Sequence, residues 1–131
     1  MDIGGFNKNS LIDFPKTLSC VVFTKGCNFF CPYCHNPELV LFSGKNHRLY
    51  DENKIFNFLK KRAALLEGVV ITGGEPTLQK DLIQFCQKVK DLGYKLKIDT
   101  NGTNPEMLEK LLDQGIVDFI SMDIKTSPDQ Y

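Results

Sequence analysis

The sequence predicts an α/β fold of parallel βα repeats, and three observations carry that prediction. Short runs with strand character recur at residues 18–24, 68–72, 95–99 and 118–124. Segments whose apolar residues are spaced at the helical period lie between the later runs. Glycine or a capping residue stands at most of the junctions. Strands alternating with helices imply right-handed crossovers and a parallel sheet.

GGFNKNSLIDFPK (4–16) reads as a short edge strand and a loop. LSCVVFT (18–24) is apolar and β-branched, as a buried strand should be. An irregular segment follows to about Tyr50, with Cys27, Cys31, Cys34, Pro32 and Pro37 in it; loops of this length inside compact domains are usually functional. Asp51 is placed to cap a helix whose apolar face is Ile55, Phe58, Leu59 and Leu65. GVVIT (68–72) is the next strand, ending at Gly73-Gly74.

Thr77 can cap a second helix, with Leu78, Leu82, Phe85, Cys86, Val89 and Leu92 on its buried stripe and Gly93 after its last turn. KLKID (95–99) is the third strand, closed by Asn101-Gly102. Asn104-Pro105-Glu106 combines a capping side chain, a first-turn proline and an acid, so it starts a helix. That helix shows Met107, Leu108, Leu111 and Leu112 and stops at Gly115; DFISMDI (118–124) is the fourth strand. The helix expected after it is absent, which points to a single domain, residues 1–131, cut short at its C-terminal side.

At 131 residues the chain is long enough to bury one core. Lys+Arg and Asp+Glu both number 16, so no broad attraction to nucleic acid or to a membrane follows from charge. The composition, 42% hydrophobic and 24% charged, is that of a soluble globular protein, and no apolar run is long enough to span a bilayer. MDIGGFNKNS lacks the basic and apolar regions of a signal peptide, which makes a reducing cytoplasmic setting the default. Five cysteines are an odd number, and three fall between positions 27 and 34, which argues against a disulfide framework and for metal or redox chemistry.

Those three, Cys27-x-x-x-Cys31-x-x-Cys34, lie in one loop beyond the C-terminal end of a strand, where α/β folds build their sites. Three ligands on a cubane cluster leave the fourth iron open to a substrate, whereas electron-transfer ferredoxins take four cysteines. Zinc is a rival, with His35 or His47 as a fourth ligand. His35 adjoins Cys34 and ligates awkwardly beside it, and His47 sits in a polar loop where exposure is the ordinary state. Cys31-Pro-Tyr-Cys34 alone would suit a glutaredoxin-like thiol exchanger. That reading leaves Cys27 idle and expects a cis-proline just before a strand, a place that neither Pro76 nor Pro105 takes. Cys20, inside an apolar strand, and Cys86, on an apolar helical stripe, read as buried small hydrophobes.

Together, Cys27-x-x-x-Cys31-x-aromatic-Cys34, then Gly73-Gly74-Glu75-Pro76, then DTNG at 99–102 resemble the radical S-adenosylmethionine (SAM) enzymes over nearly the whole chain. Within that superfamily GGFNKNSLIDFP, VVFTKGCNFFCPYCHNPELV and MDIK (122–125) are most similar to activating proteins of glycyl-radical enzymes. The nearest types are those for anaerobic ribonucleoside-triphosphate reductase and for pyruvate formate-lyase. The Asp-Gly-Pro-Gly of many activases is replaced here by LIDFPK. The resemblance implies the N-terminal portion of a partial (βα)6 barrel. It implies a 4Fe–4S cluster on Cys27, Cys31 and Cys34, with S-adenosylmethionine chelating the fourth iron.

The resemblance further implies that Tyr33 lies near the adenine. Gly73 and Gly74 would leave room for the cofactor's amine, and Glu75 would accept from that ammonium or from its own loop. Asp99 and Asp123, each at a strand's C-terminal end, would contact the cofactor or a monovalent cation, and Lys125 would pair with the cofactor carboxylate. The implied reaction is one-electron cleavage of the sulfonium, then hydrogen abstraction from a glycine of a partner enzyme. The electron donor would be of the flavodoxin or ferredoxin kind. A radical SAM enzyme acting on another substrate, a thiol exchanger and a zinc module are the competing readings.

Overall fold

The computed structural model describes residues 1–26 and 50–123. Cys27, Cys31, Tyr33, Cys34, His35, His47 and Lys125 lie outside the described residues. Five strands form one sheet in sequential order: β1 (Ile3–Ser10), β2 (Ser19–Thr24), β3 (Gly68–Gly73), β4 (Lys95–Thr100) and β5 (Phe119–Met122). β1 runs antiparallel to β2, and every later pair is parallel. Helices α1 (Glu52–Arg62), α2 (Leu82–Asp91) and α3 (Pro105–Asp113) stand between the parallel strands.

The three helices share one face of the sheet. Ile55 and Leu59 of α1, Leu82, Phe85, Cys86 and Val89 of α2 and Leu111 of α3 form a single core with Cys20, Val22, Val69, Ile71, Leu96 and Ile98. Within each strand the members of that set lie two residues apart, and strand side chains alternate between faces. The other face carries the alternate residues. One row across it is Val21, Val70, Lys97 and Phe119, and the next is Phe23, Thr72, Asp99 and Ser121. Sequential strand order with helices on one side is the winding of a barrel, in which the uncovered face becomes the interior.

That interior face is closed at its lower end by the β1–β2 connection. Phe14 packs with Val21 and Val70, and its ring lies 6.3 Å from that of Phe119. A methyl group on Gly68 would lie 3.0 Å from both Phe14 and Thr17, so the connection sits directly on the sheet. Its tip, Leu11 and Ile12, is exposed. The α3–β5 side carries an apolar groove of about 610 Å³, lined by Leu108, Leu112, Val117, Phe119 and Met122 among others. Among the described residues no helix is long and apolar enough to cross a membrane.

Three details differ from the sequence reading. Leu65 is not on the face of α1, which ends at Arg62; the amides of Leu65 and Leu66 both bond the Arg62 carbonyl, and this turn sends Leu66 into the core while Leu65 points out. Leu112 is exposed, because Leu108 and Leu111 alone supply the buried face of α3. Thr77 caps no α-helix. Pro76–Leu78 form a 3-10 turn capped by Glu75, Gln79 is extended, and α2 starts at Leu82. Gln79 breaks the run because its side chain is taken elsewhere: its amide nitrogen donates to the Lys25 carbonyl at 2.8 Å and its oxygen accepts from the Asp2 amide at 3.0 Å.

Candidate functional site

The site begins where β2 and β3 end side by side. Gly73 has φ +111°, and a Cβ there would lie 2.4 Å from the Thr24 amide nitrogen and 2.5 Å from its carbonyl oxygen. Only glycine satisfies both the left-handed backbone and that contact. The ladder then continues past the strand: Gly74 N–H donates to the Thr24 carbonyl at 2.9 Å, and Glu75 N–H to the Gly26 carbonyl at 2.7 Å. Gly26 directly precedes Cys27, so the Gly-Gly-Glu turn fastens the entry to the cysteine segment.

Glu75 is 1% exposed. Its Oε1 accepts from the Thr77 amide at 3.2 Å, the Thr77 hydroxyl at 2.5 Å and the Thr100 hydroxyl at 2.6 Å. Its Oε2 accepts from the Asn101 amide at 2.7 Å. A buried carboxylate is tolerated when its lone pairs are filled in this way. The arrangement locks the end of β3 to the Thr100-Asn101 end of β4. Sequence reasoning missed Thr100, Asn101 and Thr77 as its partners. Their signal was composition alone, three short polar residues beside Gly-Gly-Glu-Pro and Asn-Gly turns.

Asp99 sits one residue before this junction, on the uncovered face. Burial is the main influence on its carboxyl and pushes its pKa up; Lys97 and a hydrogen bond with Thr72 oppose that, and the negative charge of Asp123 adds to it. Asp99 and Asp123 are therefore electrostatic neighbours at the ends of β4 and β5. The Asp123 amide donates to the Thr100 carbonyl at 2.9 Å, which continues the β4–β5 ladder to the same edge. Asp99 Oδ1 is buried without an aligned hydrogen-bond donor, yet Lys97 Nζ lies 3.1 Å from it, close enough for an ion pair. An inward carboxylate with an oxygen of this kind, beside a second acid, is suited to a cation or to a cationic cofactor group.

The two described cysteines take no part. Cys20 and Cys86 are fully buried in the helix-side core, and burial pushes both thiols up to about 12. Thiols so placed are inert as ligands or nucleophiles. The structure thus brings Gly73, Gly74, Glu75, Asp99 and Asp123 to one edge of the sheet, next to the start of the cysteine segment. The donor chemistry of that segment's sequence, three thiols with a fourth ligand position open, fits an iron–sulfur cluster.

Comparison with known proteins gives the same assignment. The family model described as the Radical SAM superfamily matches residues 21–131. A Methanocaldococcus jannaschii protein that carries the name glycyl-radical enzyme activating enzyme is 42% identical over 130 residues, 98% of this chain and 52% of that protein. The pyruvate formate-lyase-activating enzyme of Streptococcus mutans is 33% identical over 124 residues, 85% of this chain and 46% of its own length. The 7-carboxy-7-deazaguanine synthase of Aquifex aeolicus is 39% identical over 85 residues, 65% of this chain and 36% of that enzyme. The chain thus spans about half the length of these relatives or less. With the Gly-Gly-Glu turn, the Asp99 strand end and the family match in agreement, the chain belongs to the radical SAM superfamily.

Proposed function

We propose that this chain carries the cluster- and cofactor-binding portion of an activase that makes a glycyl radical on a partner enzyme, anaerobic ribonucleoside-triphosphate reductase being the partner favoured by its N-terminal and MDIK sequences. The observation that carries the reading is the convergence at one sheet edge: the Gly-Gly-Glu turn is bonded to Gly26, beside Cys27, while Asp99 and Asp123 end neighbouring strands there. Cys27, Cys31 and Cys34 would hold a 4Fe–4S cluster. When bound, the cluster and S-adenosylmethionine would supply the one-electron chemistry for hydrogen abstraction from a glycine.

The chain's own residues bind and orient. Gly73 and Gly74 present backbone rather than side chain to the methionine end of the cofactor, and Glu75 keeps that backbone in place from behind. Asp99 and Asp123 face the cofactor or a monovalent cation beside it. Tyr33 would lie near the adenine and Lys125 would pair with the cofactor carboxylate, the roles that the family resemblance implies for them. A flavodoxin- or ferredoxin-like protein delivers the electron.

Anaerobic reconstitution with iron and sulfide, followed by electron paramagnetic resonance after reduction, tests the class. A cubane signal lost in Cys27→Ala, Cys31→Ala and Cys34→Ala, but kept in Cys20→Ala and Cys86→Ala, is the expected result. A zinc-loaded, signal-free protein overturns it. The similarity to a deazaguanine synthase favours a second reading, action on a small molecule. Formation of a glycyl radical on anaerobic reductase or on pyruvate formate-lyase separates the two, and failure with both partners overturns the activase reading.

A further inference from the structure

Lys97 is 9% exposed and lies on the interior face, in the row that otherwise holds Val21, Val70 and Phe119. An ammonium in such a row needs oxygen partners. It has two: the Asp13 carbonyl on the segment that closes the lower end, at 2.5 Å, and Asp99 Oδ1 above it, at 3.1 Å. The Phe119 ring lies 5.8 Å from the same nitrogen, on the third side. The carbonyl is itself held fast, since the Asp13 side chain and amide both bond Ser10 Oγ and Phe14 packs on the sheet.

The geometry points to Lys97 as a positioning residue for Asp99: a fixed charge, anchored to the closed end of the interior face, that aims the Asp99 carboxylate toward the mouth. The inference rests on the proposed contact of Asp99 with the cofactor or its companion cation. Lys97 and Asp99 are two residues apart on β4, so their side chains rise from the same face, one behind the other. The ammonium lies 3.1 Å from Oδ1, and that contact steadies the carboxylate on its inner side. The β1–β2 connection thereby acts on the site, although its own residues lie on the far side of Lys97.

The test is a double-substitution cycle on reconstituted protein, with S-adenosylmethionine affinity read by calorimetry. Lys97→Met should weaken binding on the order of tenfold, within the range over which contacting residues couple. Lys97→Arg should recover most of that, because a guanidinium still reaches both oxygens. Asp99→Asn should weaken binding, and Lys97→Met on top of it should cost nothing more. Should the methionine variant fail to fold, Lys97→Gln, which keeps a donor for the Asp13 carbonyl, takes its place. Losses that add in the double variant, as a purely structural lysine would give, overturn the inference and leave the role of Asp99 standing. Asp99→Asn with native affinity overturns both.

Discussion

Replacing Glu75 by glutamine exchanges one oxygen of a filled carboxylate for a donor. The amide oxygen can keep the Oε1 position, where the Thr77 amide and two hydroxyls converge, which leaves the new NH2 facing the Asn101 amide, 2.7 Å from the displaced Oε2. Two donors then meet in a place with almost no access to water. A hydrogen bond to a charged group contributes about 1.5–3 kcal/mol and an unsatisfied buried donor costs a similar amount, with much overlap between the two, so about 3 kcal/mol is expected. That is a large part of the usual stability of a domain. Urea denaturation should show a lower midpoint with an unchanged slope. Hydrogen exchange should quicken first at Asn101 and Thr77. A loss below about 1 kcal/mol, or an Asn101 amide as protected as before, would refute the view that this carboxylate joins β3 to β4.

Gly73→Ala places a methyl group 2.4 Å from the Thr24 nitrogen in a left-handed backbone, so a loss on the order of 3 kcal/mol is expected in the same denaturation assay. Asp118 accepts from Lys90 Nζ at 2.6 Å and from the Leu96 amide at 2.8 Å. Burial works against its charge, but those two donors and the nearby lysines outweigh it and lower its pKa. Because the folded value is the lower one, its contribution is present above the unfolded value of about 3.9 and is lost as pH falls through the folded one. Asp118→Asn should therefore lower the thermal midpoint at pH 7, by less than about 1 kcal/mol at so exposed a site, and the two midpoint curves should meet in strong acid.

The sheet was legible because each parallel strand is a short run whose neighbours come next in the sequence. Alternation failed only where a side chain's partner is remote. For Lys97 nothing local in KLKID reveals that the Asp13 carbonyl waits for it. Thr77 has the chemistry of a cap, but Glu75 and Gln79 are bound to Asn101, Lys25 and Asp2, and those bonds decide where the helix starts. Extended past Arg62, the helical period places Leu66 nearer the Ile55 and Leu59 face than Leu65, and the turn at Arg62 does send Leu66 inward and Leu65 out. The candidate site was legible as strand-end residues. What remained hidden is that Gly73 is dictated by the backbone of Thr24 as well as by any ligand.

β1 is synthesised before the elements that complete it. Met1 N pairs with Asp81, the Asp2 amide with Gln79, the Asp13 carbonyl with Lys97, and Phe14 with Phe119. None of these partners exists when β1 emerges, so its antiparallel pairing with β2 must wait on its own, and two-stranded ribbons are marginal in water. Contacts this distant along the chain make for slow closure. The three clustered thiols likewise leave the ribosome before the Gly-Gly-Glu turn that will fasten Gly26. During that interval they are free to meet oxidants or foreign metal ions, so synthesis in a cell without oxygen would protect those thiols.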